Sequence, residues 1–542
     1  MILEQILYQI KMSLIKNITI RDFIGGIVDT LEDKSIPRGF ASSALNWLTK
    51  TDRIELRGGY KIYGNLVEGV GKITGYIVAR KSDGTEIQYR THGKKLEYYV
   101  AATDTWTEIG TDILGAGADG KEMSFAEYHP TAGDFVYLNS PYGPFLKIDL
   151  ATPGSASDVY NAAENYYGYI KIKQNRMFCW GVVADPSTPY LSKIDDVEDF
   201  TYSTPRTAGE GTFFRQDDGG ALQSIESYGN KEYCIHEKKT WVVEITADDT
   251  NATNLIYRDR VGISSFRGSV STGDGIYYID DVDQKDPQIR LLTVPYGMTE
   301  VIPQAISKNR KYHNALVGID LSGYLFDKAC GEEWNDYIIF ACRTSDSTQN
   351  NRVLLFHKKQ KSIDVLDYWV SVFGILSGAL MGGDPVQNNV YTLFTGSDDE
   401  SVNITNSIEF NKDNLDWPGE KKLKKLIIKG KIGPEQEITI YAALDDADYI
   451  FLGTISGSSS VVAGVEMAVV GRTVIGRREI GGGGSGTDYS EFISEINVAS
   501  LISKFNDIKI KFTADELGVA QISELQYKDI RYKSQKLIQR FR

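Results

Sequence analysis

From Lys72 to Thr395 this chain returns again and again to strands of about five to eight residues, rich in Ile, Val, Tyr and Thr and closed by Gly, Asp and Asn clusters. Lys72 to Ala79, Glu86 to Arg90, Leu96 to Ala101 and Thr105 to Ile109 are joined by the turns Ser82-Asp83-Gly84 and His92-Gly93-Lys94, which predicts a four-stranded antiparallel meander. Comparable units begin at Met123, Tyr169, Leu222 and Ser269. A sixth is read as Ala315 to Asp320, Tyr337 to Arg343, Arg352 to His357 and Ser362 to Trp369; Ile375 to Met381 with Val390 to Thr395 begins a seventh or closes a ring. A lone meander leaves one face wet. Units repeating every ~40 to 50 residues bury both faces when they pack radially, so the expectation is an all-β protein built on a divergent β-propeller of six or seven blades, without WD or kelch signatures.

The flanks read differently. After Gly396 the acidic run Ser397-Asp398-Asp399-Glu400 marks a boundary. Strands at Lys422 to Gly430, Glu437 to Ala443, Ile450 to Ser456, Val461 to Val470, Phe492 to Val498, Asp507 to Phe512 and Ser523 to Tyr532 predict an antiparallel β-sandwich, with Gly481 to Gly486 as a flexible loop within it. The expected division is an N-terminal anchor segment over 1–70, the propeller over 71–396, the sandwich platform over 397–532 and a basic tail over 533–542.

Composition narrows the function. At 542 residues, 42% hydrophobic and 11% aromatic, the chain has ample material for several cores. A net charge of −14 disfavours a surface whose main task is gripping nucleic acid, yet suits a wall past which DNA slides. Cys179, Cys234, Cys330 and Cys342 lie far apart with no C-x-x-C pair and read as buried small apolar side chains in a reducing compartment. No apolar run reaches the length of a membrane span. The opening Met1 to Lys11 is amphipathic, carries Glu4 and lacks the features of a signal peptide; it reads either as an extension ahead of Met12 or as a short docking helix.

Each motif with chemical content has a plainer reading. Gly115-Ala-Gly117-Ala-Asp-Gly120 fits a dinucleotide fingerprint in letters, but the short β-prone segment after it, ended by His129-Pro130, makes it an inter-blade loop. Asp281-Val-Asp283-Gln-Lys285-Asp286 places a lysine where a calcium loop needs oxygen and reads as a solvated turn. Cys234 and His236 share a strand face without an orienting third group, and core packing is the expectation. The lysines from Lys421 to Lys431 alternate with Leu and Ile and lack stacking aromatics, as on a strand with one wet face. Trp47, Trp180, Trp241, Trp334 and Trp369 read as packing anchors. No catalytic residue, metal ligand or cofactor follows, and the chain is read as a non-enzyme.

The stretch Ile18 to Tyr63 is irregular in a particular way. Gly25 and Gly26 permit positive φ or close approach, Pro37 and Gly39 turn the chain, Asn46 and Trp47 set a polar group beside a large aromatic, and Arg57-Gly58-Gly59-Tyr60 leads into the first strands. This order resembles the N-terminal segment of the tail nozzle proteins, or tail tubular protein B, of short-tailed bacteriophages. Arg176-Met-Phe-Cys-Trp-Gly, Asp185-Pro-Ser-Thr-Pro-Tyr-Leu-Ser, Glu198-Asp-Phe-Thr-Tyr, Val261-Gly-Ile-Ser-Ser, Asp274-Gly-Ile-Tyr-Tyr-Ile, Asn351-Arg-Val-Leu-Leu-Phe and Asp367-Tyr-Trp are similar to segments of phage tail propellers in the same order.

The resemblance implies a virion protein assembled in the host cytoplasm: a homo-oligomeric ring, hexameric in that family, bound to adaptor and head-to-tail connector proteins, offering sites to tail fibre proteins and passing double-stranded DNA without gripping it. Gly25, Gly26, Asn46, Trp47 and Arg57 are then structural anchors. The chain departs from the family in being shorter and in lacking an identifiable channel gate. The alternative is a glycan-binding or glycan-cleaving propeller, which needs aromatics and carboxylates clustered on one propeller face.

Overall fold

The computed structural model describes all residues but 1–14, 22, 24–25, 30–37, 39, 51, 66–70, 160–166, 204–206, 230, 246–252, 294–301, 309, 313–314, 417–418, 435, 458–470, 475–489, 503, 515–519 and 533–542. Seven four-stranded antiparallel sheets follow one another over residues 73–108, 124–158, 169–213, 222–259, 269–305, 324–366 and 372–393. The first strands of all seven line a common axis. The fold is therefore all-β with a seven-bladed propeller.

Adjacent blades bury their faces against each other. Ala79, Tyr89 and Leu96 of the first blade share a core with Val136, Leu138 and Ile148 of the second, and Ile73 and Tyr76 meet Val372 and Met381 of the seventh. A strand in the middle of a blade is covered on both sides, which is why Arg176–Trp180 and Gly275–Asp280 are buried along their whole length instead of alternating.

The wheel closes with a borrowed strand. The seventh blade supplies three strands, Val372–Leu376, Ala379–Gly383 and Val390–Leu393, and its outer edge is completed by Tyr60–Ile62, with Tyr60 opposite Leu393 and Ile62 opposite Tyr391. In chain order the strands before the blades are β1 (Ile15–Ile20), β2 (Ala41–Leu45), β3 (Trp47–Thr49), β4 (Ile54–Leu56) and β5 (Tyr60–Ile62).

The first four belong to the sandwich. β1, β3 and β4 join the C-terminal strands Lys421–Lys422, Lys425–Ile432, Gly471–Val474, Ser490–Asn497 and Ala520–Tyr532 in an eight-stranded sheet. β2 edges a five-stranded sheet with Asn406–Phe410, Ile508–Ala514, Glu437–Leu444 and Ile450–Ser456. Between the sheets lies one core that includes Trp47, Ile54, Leu426, Ile428, Phe492 and Leu525 together with Ile408, Ile440, Ile510 and Phe512. The described strands of the segment expected as a separate unit over 1–70 are thus divided among two sandwich sheets and the last blade, and the propeller sits as an insertion between the two halves of a sandwich.

Two strand assignments need correction. Ala315–Val317 pairs with Arg310–Tyr312 in a hairpin outside the blades, and the first strand of the sixth blade is Tyr324–Trp334. That strand carries Asp327, Lys328, Glu332 and Glu333, of which Glu332 lines the axis while Asp327 and Glu333 pair with Arg343 and Lys358, and this polarity hid it. Ile375 to Met381 is not one strand: Ser377 and Gly378, at φ 48° and 86°, make a two-residue turn between two. Met1 to Lys11, Pro37, Gly39, Val461 to Val470, the Gly481 to Gly486 loop and the 533–542 tail lie outside the described residues.

Candidate functional site at the joint of propeller and sandwich

The chain crosses from one sandwich sheet to the other at a single residue. β2 and β3 lie in different sheets, and Asn46 between them holds φ at 63°, a left-handed conformation that asparagine tolerates better than most side chains. The corner also fixes the side chain. Asn46 Nδ2 donates to the Thr405 carbonyl at 2.8 Å, and its Oδ1 accepts from Arg57 Nε at 2.8 Å and from the Asp367 backbone N–H at 3.0 Å. Its own N–H donates to the Val365 carbonyl of the sixth blade.

Arg57 is 2% exposed and uses its donors in several directions. Nη1 and Nη2 form a fork on Asp399 at 2.9 and 2.6 Å, Nη2 also reaches Asp367 at 2.5 Å, and Nη1 donates to the Gly58 carbonyl. The guanidinium lies 4.1 Å from the centre of the Tyr368 ring. Burial by itself would lower the Arg57 pKa; the hydrogen bond to Asp399 and the fields of Tyr368, Asp367 and Asp399 outweigh it and hold the group above its ordinary value. One buried cation therefore ties β4 to the end of the sixth blade and to the link that runs from propeller to sandwich.

The glycines beside Arg57 are there for space. A Cβ on Gly59 would stand 1.7 Å from the Asp398 carbonyl oxygen, and this contact lets the Tyr60 N–H donate to Asp398 as β5 enters the seventh blade. Gly26, at φ +65°, brings the N-terminal segment against Ser362, whose Cβ would lie 2.8 Å from an added one. Trp47 is fully buried in the sandwich core, its indole N–H without a partner among the described residues. Beside it Thr49 donates through Oγ1 and its backbone N–H to Asp364 of the sixth blade, at 2.7 and 3.1 Å.

Of the five anchor residues expected from sequence, the structure brings Asn46, Trp47 and Arg57 together, sets Gly26 against the sixth blade, and leaves Gly25 outside the described residues. What sequence reasoning missed were the partners. Asp399 was read only as part of an acidic boundary and Asp364 not at all; the one available signal was that a buried arginine beside a Gly-Gly turn needs carboxylates somewhere.

The other motifs are placed as follows. Ala116–Ala118 forms one 3₁₀ turn between the first and second blades, with no helix for a pyrophosphate to cap. Cys234 and His236 are both buried; burial pushes the thiol up to about 12 and the imidazole down to about 4, and His236 Nε2 pairs with Gln216 at 2.7 Å. Lys425 and Lys429 pair with Glu495 and Glu524, and Lys421 is 1% exposed. Trp369 is 47% exposed, unlike the buried Trp180. Among the described residues no group of three His, Cys, Asp or Glu is arranged to hold a metal.

The propeller axis holds a cavity of about 270 Å³ lined by all seven first strands, among them Tyr76, Phe125, Lys171, Glu226, Ser269, Glu332 and Phe373. Arg267 bridges one end of it, donating to the Thr74 carbonyl at 2.8 Å and also to that of Met123. A space of this size takes a small molecule and no duplex.

No protein-family model and no curated protein matches this sequence. Among solved structures, an extracellular domain from B. thetaiotaomicron, of a protein named as a one component system, is similar at 7% identity and a TM-score of 0.35, over 61% of this chain and 39% of that one. The Neurospora crassa Pan2 WD40 domain is 8% identical with a TM-score of 0.25, over 65% and 88% of the two chains. The exo-β-1,3-galactanase of Phanerochaete chrysosporium is 7% identical with a TM-score of 0.24, over 76% and 99%. No family follows from likenesses at this level.

Proposed function

We propose that this chain is a structural component of a bacteriophage tail, the nozzle of a short tail, in which the sandwich packs against neighbouring copies as a platform and the propeller projects from it. One observation carries this reading above the rest: strands from before and after the propeller build one sandwich, and the propeller is inserted into it through a joint locked by Arg57, Asn46, Asp367 and Asp399. A body of this kind transmits force between two stiff parts and needs no catalytic cleft. Ile450–Ser456 is the last strand of the five-stranded sheet among the described residues and exposes Phe451 at 53%, a surface suited to a neighbouring copy.

The narrow, bridged axis of the propeller cannot be the conduit, so in this reading the DNA path lies between copies of a ring, six by likeness to the nozzle family, attached to the adaptor beneath the portal and offering sites to fibres. The acidic balance of the chain suits such walls. The test is immunogold labelling of purified particles with an antibody raised against this chain. Gold at the tail tip is the expected result; unlabelled particles, with the same antibody detecting the protein free in the host lysate, would overturn the proposal.

A further inference from the structure

The axial cavity is one of two that meet inside the propeller. A second, of about 330 Å³, continues it and shares Tyr76, Ile77, Glu332 and Phe373, adding Val78, Arg80, Glu127, Gly374 and Ile375 at its far side. Polar and apolar groups alternate in its lining, and Tyr76, Ile77 and Phe373 are the apolar side chains common to both cavities.

Its charges are unevenly satisfied. At the inner end Lys171 pairs with Glu226, which also accepts from Ser269 Oγ at 2.9 Å, and Arg267 is engaged by backbone carbonyls. At the far side Arg80 is held by Glu86 at 2.9 Å. Glu332 is different. It lines both cavities, its carboxylate accepts one hydrogen bond, from the Glu333 backbone N–H at 3.0 Å, and no cation pairs with it among the described residues. Glu127, beyond it, accepts from the Arg80 N–H at 3.1 Å and lies 3.5 Å from His129.

An unpaired carboxylate in a low-dielectric channel attracts a cation, and aromatic faces such as those of Tyr76, Phe125 and Phe373 favour an organic one. Of the carboxylates in the two linings Glu226 is taken by Lys171, and Arg80 is taken by Glu86 outside them, which leaves Glu332 and Glu127 as the two without a lysine or arginine partner among the described residues. The geometry points to a binding site for a short linear alkyl diamine, one ammonium on Glu332, the methylene stem along Tyr76 and Phe373, and the second ammonium toward Glu127. This site is independent of the role in the tail proposed above.

Isothermal titration calorimetry of the full chain at pH 8, where Glu332 is ionised and the diamine still charged, tests it with 1,4-diaminobutane, and 1,4-butanediol serves as a neutral ligand of the same length. Binding of the diamine and none of the diol is expected, and Glu332→Gln, which keeps the shape and removes the charge, weakens the diamine at least tenfold while circular dichroism remains that of the parent. The proposal is overturned if the diamine does not bind at millimolar concentration, if the diol or galactose binds as well, if calcium chloride competes with the diamine mole for mole, or if a folded Glu332→Gln binds the diamine unchanged. Should Glu332→Gln not fold, the diamine and diol comparison on the parent chain still decides.

Discussion

Arg57 Nε donates to Asn46 Oδ1 at 2.8 Å across eleven residues of chain, and the same oxygen takes the Asp367 backbone N–H from the propeller. One side-chain amide thus reads both halves of the molecule at once. It holds the guanidinium in the plane from which its fork meets Asp399, and the two carboxylates that the guanidinium serves flank the seventh blade, Asp367 before it and Asp399 after it.

Replacing Arg57 by methionine leaves Asp367 and Asp399 without their cation in a largely buried place, and removal of one partner of such a pair costs about 3 to 5 kcal/mol. Arg57→Lys keeps the charge and loses the fork, so it recovers only part of the loss. Urea unfolding followed by tryptophan fluorescence measures both. A methionine variant within about 0.5 kcal/mol of the parent, the range of ordinary surface substitutions, would mean that the joint adds nothing to stability.

Asn46 carries a conformational and a hydrogen-bonding role that two substitutions separate. Asn46→Gly keeps the left-handed corner but abandons the Thr405 carbonyl and the Asp367 N–H, at about 1 to 3 kcal/mol for each buried group left unpaired, while Arg57 Nε retains its hydrogen bond to Asp367 at 3.1 Å. Asn46→Ala adds the left-handed strain of about 1 to 2 kcal/mol to the same loss. Alanine is therefore expected to lie below glycine in the urea midpoint; the reverse order would show that the corner relaxes to another conformation.

Gly59→Ala puts a methyl carbon into the Asp398 carbonyl. The backbone there has to part, and β5 is what it releases, since the hydrogen bond from the Tyr60 N–H to Asp398 lies at the entry to that strand. A seventh blade with three strands exposes an edge. Limited proteolysis is expected to cut the variant near residues 60–65 under conditions that leave the parent whole, and equal resistance of the two proteins would count against β5 as the closure of the wheel.

The meanders were legible because blades are local: each strand pairs with its chain neighbour, so turn signals and apolar runs carry the register. What joins distant parts was not. β5 pairs with Val390–Leu393 and Arg57 with Asp399, separations of more than 300 residues, and no local pattern in Tyr60-Lys61-Ile62 announces an outer strand of the last blade. Tyr324–Trp334 escaped for the opposite reason. Glu332 faces the axial cavity while Asp327 and Glu333 pair with Arg343 and Lys358, so the strand has neither the alternation of a half-wet strand nor the apolar run of a covered one. Asn46, Trp47 and Arg57 stood out as a cluster of unlike residues; that they link two domains became visible only with their partners.

Glu332 makes the stability of the propeller depend on pH with a definite sign. Burial, against the opposing hydrogen bond from Glu333 N–H, raises its pKa from the usual 4.5 to about 7; the nearby carboxylates of Glu333 and Glu226 add to the rise and Lys171 opposes it. The folded chain then holds a proton that the unfolded chain has already released. Stability from this group is complete below pH 4.5, is lost as pH climbs from 4.5 to 7, and is level above that. At about 1.4 kcal/mol per unit, the loss is at most about 3.5 kcal/mol. Glu332→Gln has no proton to lose, so in urea unfolding at pH 5, 6, 7 and 8 the variant is expected to gain on the parent with each step up to pH 7 and then hold its lead. Parallel curves across the whole range would place the carboxylate of Glu332 in contact with water, outside the low-dielectric channel.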